Sequence, residues 1–214
     1  MRKRFFDLAF TPAVREQQTL RGSRNAYSAM TERPGTDATA DVLAEREIAF
    51  IQGRDSFYLA TVSATGWPYV QHRGGPVGFV RHLADGTLGW AEYIGNRQYV
   101  SIGNATTDDR VAMLFMDYPH QERLKILGHM RAHDLDSRPD LATTLGVDGY
   151  RAKLERFVVV TVEAFDWNCP QHITPRFTAA EVQTVVGPLQ ARIAELEQQL
   201  AAARRAKVVG IAKP

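Results

Sequence analysis

The chain has 214 residues, of which 44% are hydrophobic and 23% charged, a composition ordinary for a globular protein with one sizeable core. A net charge of +2 with no basic face beyond short arginine clusters does not suggest a nucleic-acid-binding protein. No segment approaches the ~20 apolar residues of a membrane span. The single cysteine, Cys169, excludes an intramolecular disulfide and is typical of a reducing compartment, so we expect a cytoplasmic protein.

The first part of the chain is predicted to be a polar arm followed by one helix. Residues 1–36 are rich in polar and turn-forming residues, with a short helix near Ala13–Leu20. The segment "DATADVLAEREIAFIQGRD" has the apolar spacing of a helix that Asp37 or Thr39 would cap and Gly53 would end.

From Ser56 onward the hydrophobic period becomes that of strands. The strand-like runs are "FYLATVS", "WPYVQHR", "GTLGWAEY", "RVAMLFMDY", "RLKILGHMRAHD" and "RFVVVTVEAFDW". Helical spacing interrupts them at "NRQYVSIGNA" and around Pro139–Leu145. About six strands joined by short turns favour an antiparallel barrel over a doubly wound α/β sheet.

The last part of the chain is predicted to be a helix over residues 178–208, followed by a tail over 209–214. Leu189, Ile193, Leu196 and Leu200 are spaced by four, three and four residues, as in the a and d positions of a coiled coil. Gly187-Pro188 is expected to start or kink this helix. Such a helix either packs on its own domain or pairs in a dimer.

The usual nucleotide and metal motifs are missing. The sequence has neither GxxxxGK[ST] nor GxGxxG. His129 and His133 fall on a predicted strand, where four residues span about 13 Å, too far for one metal ion. Cys169 and His172 could act together only if the fold brought them into contact, and a lone cysteine is more often packing. We therefore assign no metal site and no catalytic residue.

Two basic clusters follow predicted strands. Gln71, His72 and Arg73 precede a glycine-rich stretch, where a ligand can approach the backbone closely. The segment Asn96–Gln98, with Arg97 at its centre, falls at the start of a predicted helix, where free N–H groups favour an anion. Either cluster alone is more often a solvated loop. With both present, a phosphate site and a solvated surface are equally good interpretations.

A third cluster, "DWNCPQHITPRF", follows the last predicted strand. Trp167 offers a flat aromatic face, while Gln171 and His172 offer hydrogen bonds, which together suit a planar heterocycle. The common alternative is an anchoring tryptophan beside a surface loop.

Four segments in order resemble one known family. "SFYLATVSATGWPYVQHRGGPVGFVR", "GTLGWAEYIGNRQYVSIGNATTDDRVAMLFMDY", "RLKILGHMRAHD" and "DWNCPQHITPRF" are similar to the FMN-binding split-barrel family related to pyridoxamine 5′-phosphate oxidase, from about Glu47 to Phe177. The resemblance implies an FMN-binding split-barrel domain over residues 37–177: a mainly β protein with peripheral helices and a six-stranded antiparallel split barrel. It also implies a homodimer with one FMN at each of two intersubunit sites.

The resemblance assigns cofactor contacts to all three clusters. His72 and Arg73 would contact the phosphate or the ring, the block Asn96–Gln98 the phosphate, and Gln71 either of them. The remaining implied FMN-binding residues are Pro76, Val77, Gly78 and Phe79, with their backbone near the isoalloxazine, and Trp167, Gln171 and His172, reaching the flavin from the partner chain.

The chain departs from the true oxidases at two places. "QHRGGPVGFV" stands where they carry an Arg-x-x-Leu-Leu-Lys run, and Gln98 replaces the lysine of the phosphate block. We therefore expect an FMN-dependent oxidoreductase for a small molecule other than a vitamin B6 vitamer, with NAD(P)H as a candidate electron donor. The alternatives are a flavin- or haem-binding carrier or sensor without turnover, and a structural protein whose C-terminal helix recruits a partner.

Overall fold

The computed structural model describes residues 4–31, 39–147, 149–167 and 171–211. The helices in this part of the chain are α1 (Arg4–Ala9), α2 (Pro12–Leu20), α3 (Arg24–Thr31), α4 (Glu45–Gln52), α5 (Val100–Thr107), α6 (Pro139–Leu145) and α7 (Ala179–Ile211). The strands are β1 (Ser56–Val62), β2 (Pro68–Gly74), β3 (Arg81–His82), β4 (Leu88–Tyr93), β5 (Arg110–Asp117), β6 (Glu122–Asp134) and β7 (Leu154–Trp167).

The strands form one antiparallel sheet in the order β2-β1-β5-β6-β7-β4-β3. This confirms the antiparallel architecture, with seven strands in place of the expected six. The additional strand, β3, has only two residues, which is too short to show alternation in a sequence. Because β2 and β3 are the terminal strands, backbone hydrogen bonds do not close the sheet into a complete ring.

The hydrophobic core shows that the sheet curls upon itself. The ring of Phe57 on β1 lies 5.2 Å from that of Trp90 on β4 and 5.0 Å from that of Phe115 on β5, centroid to centroid. All three side chains are at most 2% exposed. Since β1 and β4 are four positions apart in the sheet order, only a curved sheet brings them into contact, which is the split barrel that the family resemblance implies.

An ion pair joins the two sides of the barrel opening. Arg73 on β2 contacts the carboxylate of Glu92 on β4 through Nη1. These strands are not neighbours in the sheet, so side chains take the place of a backbone ladder at this point. Both side chains are largely buried.

Helix α4 is shorter than the sequence predicts. It starts at Glu45 after Ala44, whose backbone N–H donates to Glu47, and Gly53 follows it as expected. Asp37 lies outside the described residues, and Thr39 is not helical. The residues ahead of the helix are instead tied to β7, since Asp41 donates its N–H to the Glu163 carbonyl at 3.0 Å.

The other predicted helices are confirmed, and the C-terminal helix ends at Ile211, beyond the predicted end at residue 208. Helices α2, α5 and α6 occur where the spacing predicts them. Helix α7 begins at Ala179, ahead of Gly187-Pro188, because Thr178 and Glu181 form a capping box in which each accepts the other's backbone N–H. Pro188 therefore lies inside the helix.

The chain forms two compact units: residues 1–117 with 121–173, and residues 118–120 with 174–214. The first contains the barrel and the second contains α7. Across the described portion, no helix combines the length and apolarity needed to cross a membrane.

Candidate functional site

A groove of about 170 Å³ lies beside the start of α5 in the barrel unit. We call it the α5 groove. Its lining residues are Gln71, Arg73, Glu92, Tyr93, Gly95, Asn96, Arg97, Tyr99, Ile102 and Glu155. The fold thus brings together members of the two basic clusters that the sequence places 25 residues apart, since Gln71 and Asn96 line the same groove.

The start of α5 presents backbone N–H groups without a side-chain cap. The residue before the helix is Tyr99, which has a left-handed conformation (φ 55°) and makes no capping hydrogen bond. Arg97 is also left-handed (φ 60°), and Asn96 Oδ1 accepts the N–H of Gln98 at 3.1 Å. The partial positive charge of the helix start therefore adds to the charge of Arg97, which favours an anion.

Two hydrogen bonds hold α5 against the barrel. Ser101 Oγ donates to Gln71 Oε1 at 3.1 Å, and Asn104 Nδ2 donates to Thr61 Oγ1 at 2.9 Å. Ser101, Asn104 and Thr61 are buried. The start of the helix is thus fixed relative to β1 and β2.

A chain of alternating charges forms one side of the groove. Glu92 contacts Arg73, and its Oε2 lies 3.5 Å from Nε of Arg156. Nη2 of Arg156 lies 3.1 Å from Oε2 of Glu155, whose Oε1 accepts the Tyr99 hydroxyl at 2.6 Å. The Arg156 guanidinium also lies over the Tyr99 ring, 5.0 Å from its centroid. The network links both sides of the barrel opening to the start of α5.

These contacts favour an ionised Glu155 and a protonated Tyr99. The hydrogen bond from Tyr99 lowers the pKa of Glu155, and the same bond raises the pKa of Tyr99. Glu155 is therefore ionised while Tyr99 keeps its proton. Arg73 and Arg156 balance the two carboxylates of the network, and no carboxylate in the described chain lies within 4 Å of Arg97. Counting Arg156, which belongs to the network but does not line the groove, three guanidiniums face the two carboxylates, and Arg97 is the guanidinium without an ion pair within 4 Å among the described residues.

Neighbouring residues of the first cluster point to opposite faces of β2. Gln71 and Arg73 face the groove, whereas His72 is exposed on the other face, with its ring 5.7 Å from that of Tyr58. Gln98 is exposed beside the groove. Strand alternation thus separates His72 from Arg73, although they are adjacent in the sequence.

The glycine-rich stretch after β2 packs against the core. Phe79 is 4% exposed and stacks on Phe57 with 5.9 Å between ring centroids. A Cβ at Gly75 would lie 2.6 Å from the Phe79 ring. Of the other predicted residues in the turn, Gly78 has φ 80° and Val77 is exposed, while Pro76 is partly exposed. Packing of Phe79 is sufficient to explain the glycine at position 75.

The third cluster lies at the far end of β7. Trp167 lies twelve residues after Glu155 on β7, and twelve extended residues span up to about 40 Å. Its Nε1 donates to Glu47 at 2.7 Å, its ring meets that of Phe50, and the Arg46 guanidinium lies 4.1 Å from its centroid. Within one chain, Trp167 therefore anchors α4 and does not reach the α5 groove.

The rest of the third cluster is on the surface or outside the described residues. Gln171 and His172 are exposed, and His172 has φ 65°. Residues 168–170, which include Cys169, are not described, so the possible pairing of Cys169 with His172 lies outside the structure.

The sequence and the geometry agree with the comparison to known families. The family model of pyridoxamine 5′-phosphate oxidase matches residues 43–169, more than half of the chain. This chain belongs to the pyridoxamine 5′-phosphate oxidase family. The matched segment includes α4, β1–β7 and the whole α5 groove. No curated protein matches the chain.

The solved structures that are similar to this chain include three from bacteria. A putative pyridoxamine 5′-phosphate oxidase from Lactobacillus delbrueckii is 22% identical, with 58% of this chain and 93% of that one covered and a TM-score of 0.43. HupZ of Group A Streptococcus is 14% identical, with 63% of this chain and 99% of that one covered and a TM-score of 0.44. HutZ, the heme storage protein of Vibrio cholerae, is 15% identical, with 57% of this chain and 92% of that one covered and a TM-score of 0.39.

Sequence reasoning missed four residues of the groove network. Glu92, Glu155 and Arg156 lie on strands, and Tyr99 was noted only for its helical spacing. The available signal was Glu92, a charged residue in the otherwise buried run "LGWAEY" of β4, because a carboxylate buried in a sheet needs a cationic partner. Nothing in the sequence identifies Arg73 as that partner.

Proposed function

We propose that this protein is an FMN-binding flavoprotein that holds the phosphate of FMN in the α5 groove. The observation that carries the proposal is the position of Arg97 beside the uncapped start of α5, in a groove where the other charges are balanced. A phosphate dianion suits a guanidinium together with helical N–H groups. Membership in the pyridoxamine 5′-phosphate oxidase family supports the choice of a flavin phosphate.

The size of the groove indicates which part of FMN it can take. At about 170 Å³, it is smaller than the ~300–1,000 Å³ of sites that enclose a drug-sized ligand. The groove fits a phosphate and the adjoining part of its chain, so the isoalloxazine must lie beyond it. We propose that a second copy of the chain covers the ring and brings Trp167, Gln171 and His172 to it.

The proposed contacts follow from the lining residues. Arg97 pairs with the phosphate, while the side chains of Asn96 and Gln98 supply further donors. Gln71 is already hydrogen-bonded to Ser101, so its amide is held in position at the groove. Arg73 is paired with Glu92, but its buried Nε has no hydrogen-bond partner among the described residues, which an acceptor at the groove would supply.

The remaining predicted contacts stay part of the proposal. His72, Pro76, Val77, Gly78 and Phe79 belong to β2 and the turn after it, and we propose that the backbone of this turn borders the ring. FMN, when bound, supplies the redox chemistry, and the protein binds it, orients it and limits access of water. We propose an oxidoreductase for a small molecule, with NAD(P)H as electron donor. The single cysteine supports a cytoplasmic location.

A flavin titration tests the proposal. The purified protein is titrated with FMN and, in parallel, with riboflavin, which lacks the phosphate, while the flavin absorption and fluorescence are recorded. We expect FMN to bind at least about tenfold more tightly than riboflavin, about 1.4 kcal/mol. Equal affinities would contradict the phosphate site, and no binding of either flavin would contradict the whole proposal.

Reduction separates an enzyme from a carrier. Addition of NAD(P)H to the FMN-loaded protein under anaerobic conditions should bleach the oxidised flavin bands. A loaded protein that bleaches with dithionite but with neither nicotinamide would contradict the proposed electron donor. A strong Soret band formed with haem, together with no flavin binding, would instead favour a haem-binding module.

A further inference from the structure

Helix α7 carries an apolar stripe with strict heptad spacing. Its members alternate by four and three residues: Val182, Val186, Leu189, Ile193, Leu196, Leu200 and Ala203. Leu189, Ile193 and Leu200 are 59%, 55% and 52% exposed. A stripe of this kind over 22 residues, about 33 Å of helix, has the pattern by which two helices pair.

We propose that α7 forms a parallel, in-register two-stranded coiled coil with α7 of a second copy of this chain. The a positions are Val186, Ile193 and Leu200, and the d positions are Val182, Leu189, Leu196 and Ala203, so the two central heptads carry a β-branched residue at a and leucine at d. β-Branched residues at a with leucine at d favour parallel dimers over larger assemblies. The composition of the two central heptads therefore favours two helices over larger assemblies.

The charges beside the stripe are complementary to those of an identical helix. With Ile193 at a, Arg192 takes a g position and Glu197 the e position of the following heptad. A parallel pair sets g of one helix beside that e of the other, so Arg192 and Glu197 make an attractive contact twice per dimer. An antiparallel pair centred on the same heptads would set each of them opposite a glutamine or a like charge.

The existing contacts of α7 do not oppose this pairing. Nη1 of Arg192 lies 2.5 Å from Glu195 within the same helix, but both side chains are more than half exposed, so the pair contributes little. Gly187 and Pro188 fall at b and c positions, on the side away from the stripe. Neither removes an apolar contact from the proposed interface.

Disulfide trapping in the full-length chain tests the proposal. A Cys169→Ala background removes the native thiol, and Leu196→Cys then places one thiol at a d position. The matched control is Gln198→Cys, two residues further on the outer side of the helix. Under mild oxidation we expect Leu196→Cys to form covalent dimers about tenfold faster, because paired helices hold the two thiols at millimolar effective concentration. Equal rates for the two variants would overturn the proposal.

Charge exchange tests the direction of pairing in the same background. Arg192→Glu or Glu197→Arg alone should slow the trapping of Leu196→Cys severalfold, and the double exchange should restore it. Failure of the double exchange to restore the rate would overturn the parallel register. Far-UV circular dichroism confirms that each variant keeps its helix, and Leu189→Cys replaces Leu196→Cys if the latter loses helicity.

Discussion

Arg73 and Glu92 form an ion pair between β2 and β4, across the opening that the backbone of the barrel leaves unbridged. Glu92 also lies 3.5 Å from Nε of Arg156 on β7, so one carboxylate interacts with a guanidinium on each side of the opening. The ion pair therefore has a structural role, because it connects β2 to β4 where no backbone hydrogen bonds do.

Arg73→Met should lower the free energy of unfolding by about 2 kcal/mol, because it removes the closer of the two cations that contact a largely buried carboxylate. Urea denaturation measures the change. The double variant Arg73→Met/Glu92→Gln should cost less than the sum of the single variants, since they share one interaction. If the effects of the two single variants on stability simply add up in the double variant, the ion pair contributes nothing to stability.

Arg97→Ala should weaken FMN binding more than tenfold, about 1.4 kcal/mol, and leave riboflavin binding within about twofold. The difference arises because Arg97 is the cation assigned to the phosphate. Titration of both flavins measures it. The control is Arg131→Ala, an exposed arginine that lines another groove. A parallel loss of riboflavin affinity would place Arg97 at the ring.

Gly75→Ala should lower the free energy of unfolding by about 1–3 kcal/mol, because the added methyl would lie 2.6 Å from the buried Phe79 ring. Gly103→Ala is the matched control. A Cβ there meets no atom within 4 Å and improves the helix propensity of α5, so stability should rise by up to about 1 kcal/mol. Thermal unfolding of both variants tests whether position 75 requires glycine for packing.

Trp167→Phe should cost about 1–2 kcal/mol of stability, because it keeps an aromatic ring against Phe50 but removes the hydrogen bond to the buried Glu47. The same substitution at Trp67, which is 76% exposed, should change stability little. A flavin titration of Trp167→Phe then tests the proposed role across the dimer. We expect a weaker affinity, and an unchanged one would restrict Trp167 to anchoring α4.

Most of the fold follows from local sequence patterns. Period-2 alternation locates the long strands, and spacing locates α2, α5 and α6. Strand β3 could not be predicted because two residues show no period. The start of α4 could not be predicted because Asp41 bonds to Arg4 and to Phe165 on β7, contacts between distant parts of the sequence.

The candidate site was predictable only in part. The end of a predicted strand indicates Gln71, and the start of a predicted helix indicates Arg97. The two residues line one groove. The pairing of Arg73 with Glu92 depends on the curvature of the sheet, which no local pattern contains. The position of Trp167, at the opposite end of β7 from the groove, depends likewise on how one long strand spans the barrel.

The left-handed backbone at Arg97 and Tyr99 has a consequence for engineering. A residue with a side chain gives up roughly 1–2 kcal/mol in this conformation, whereas glycine adopts it freely. Position 97 is thus an obvious target for thermostabilisation by Arg97→Gly. The same change would remove the guanidinium from the groove, so a gain in thermal stability at this position would weaken the proposed binding of the phosphate.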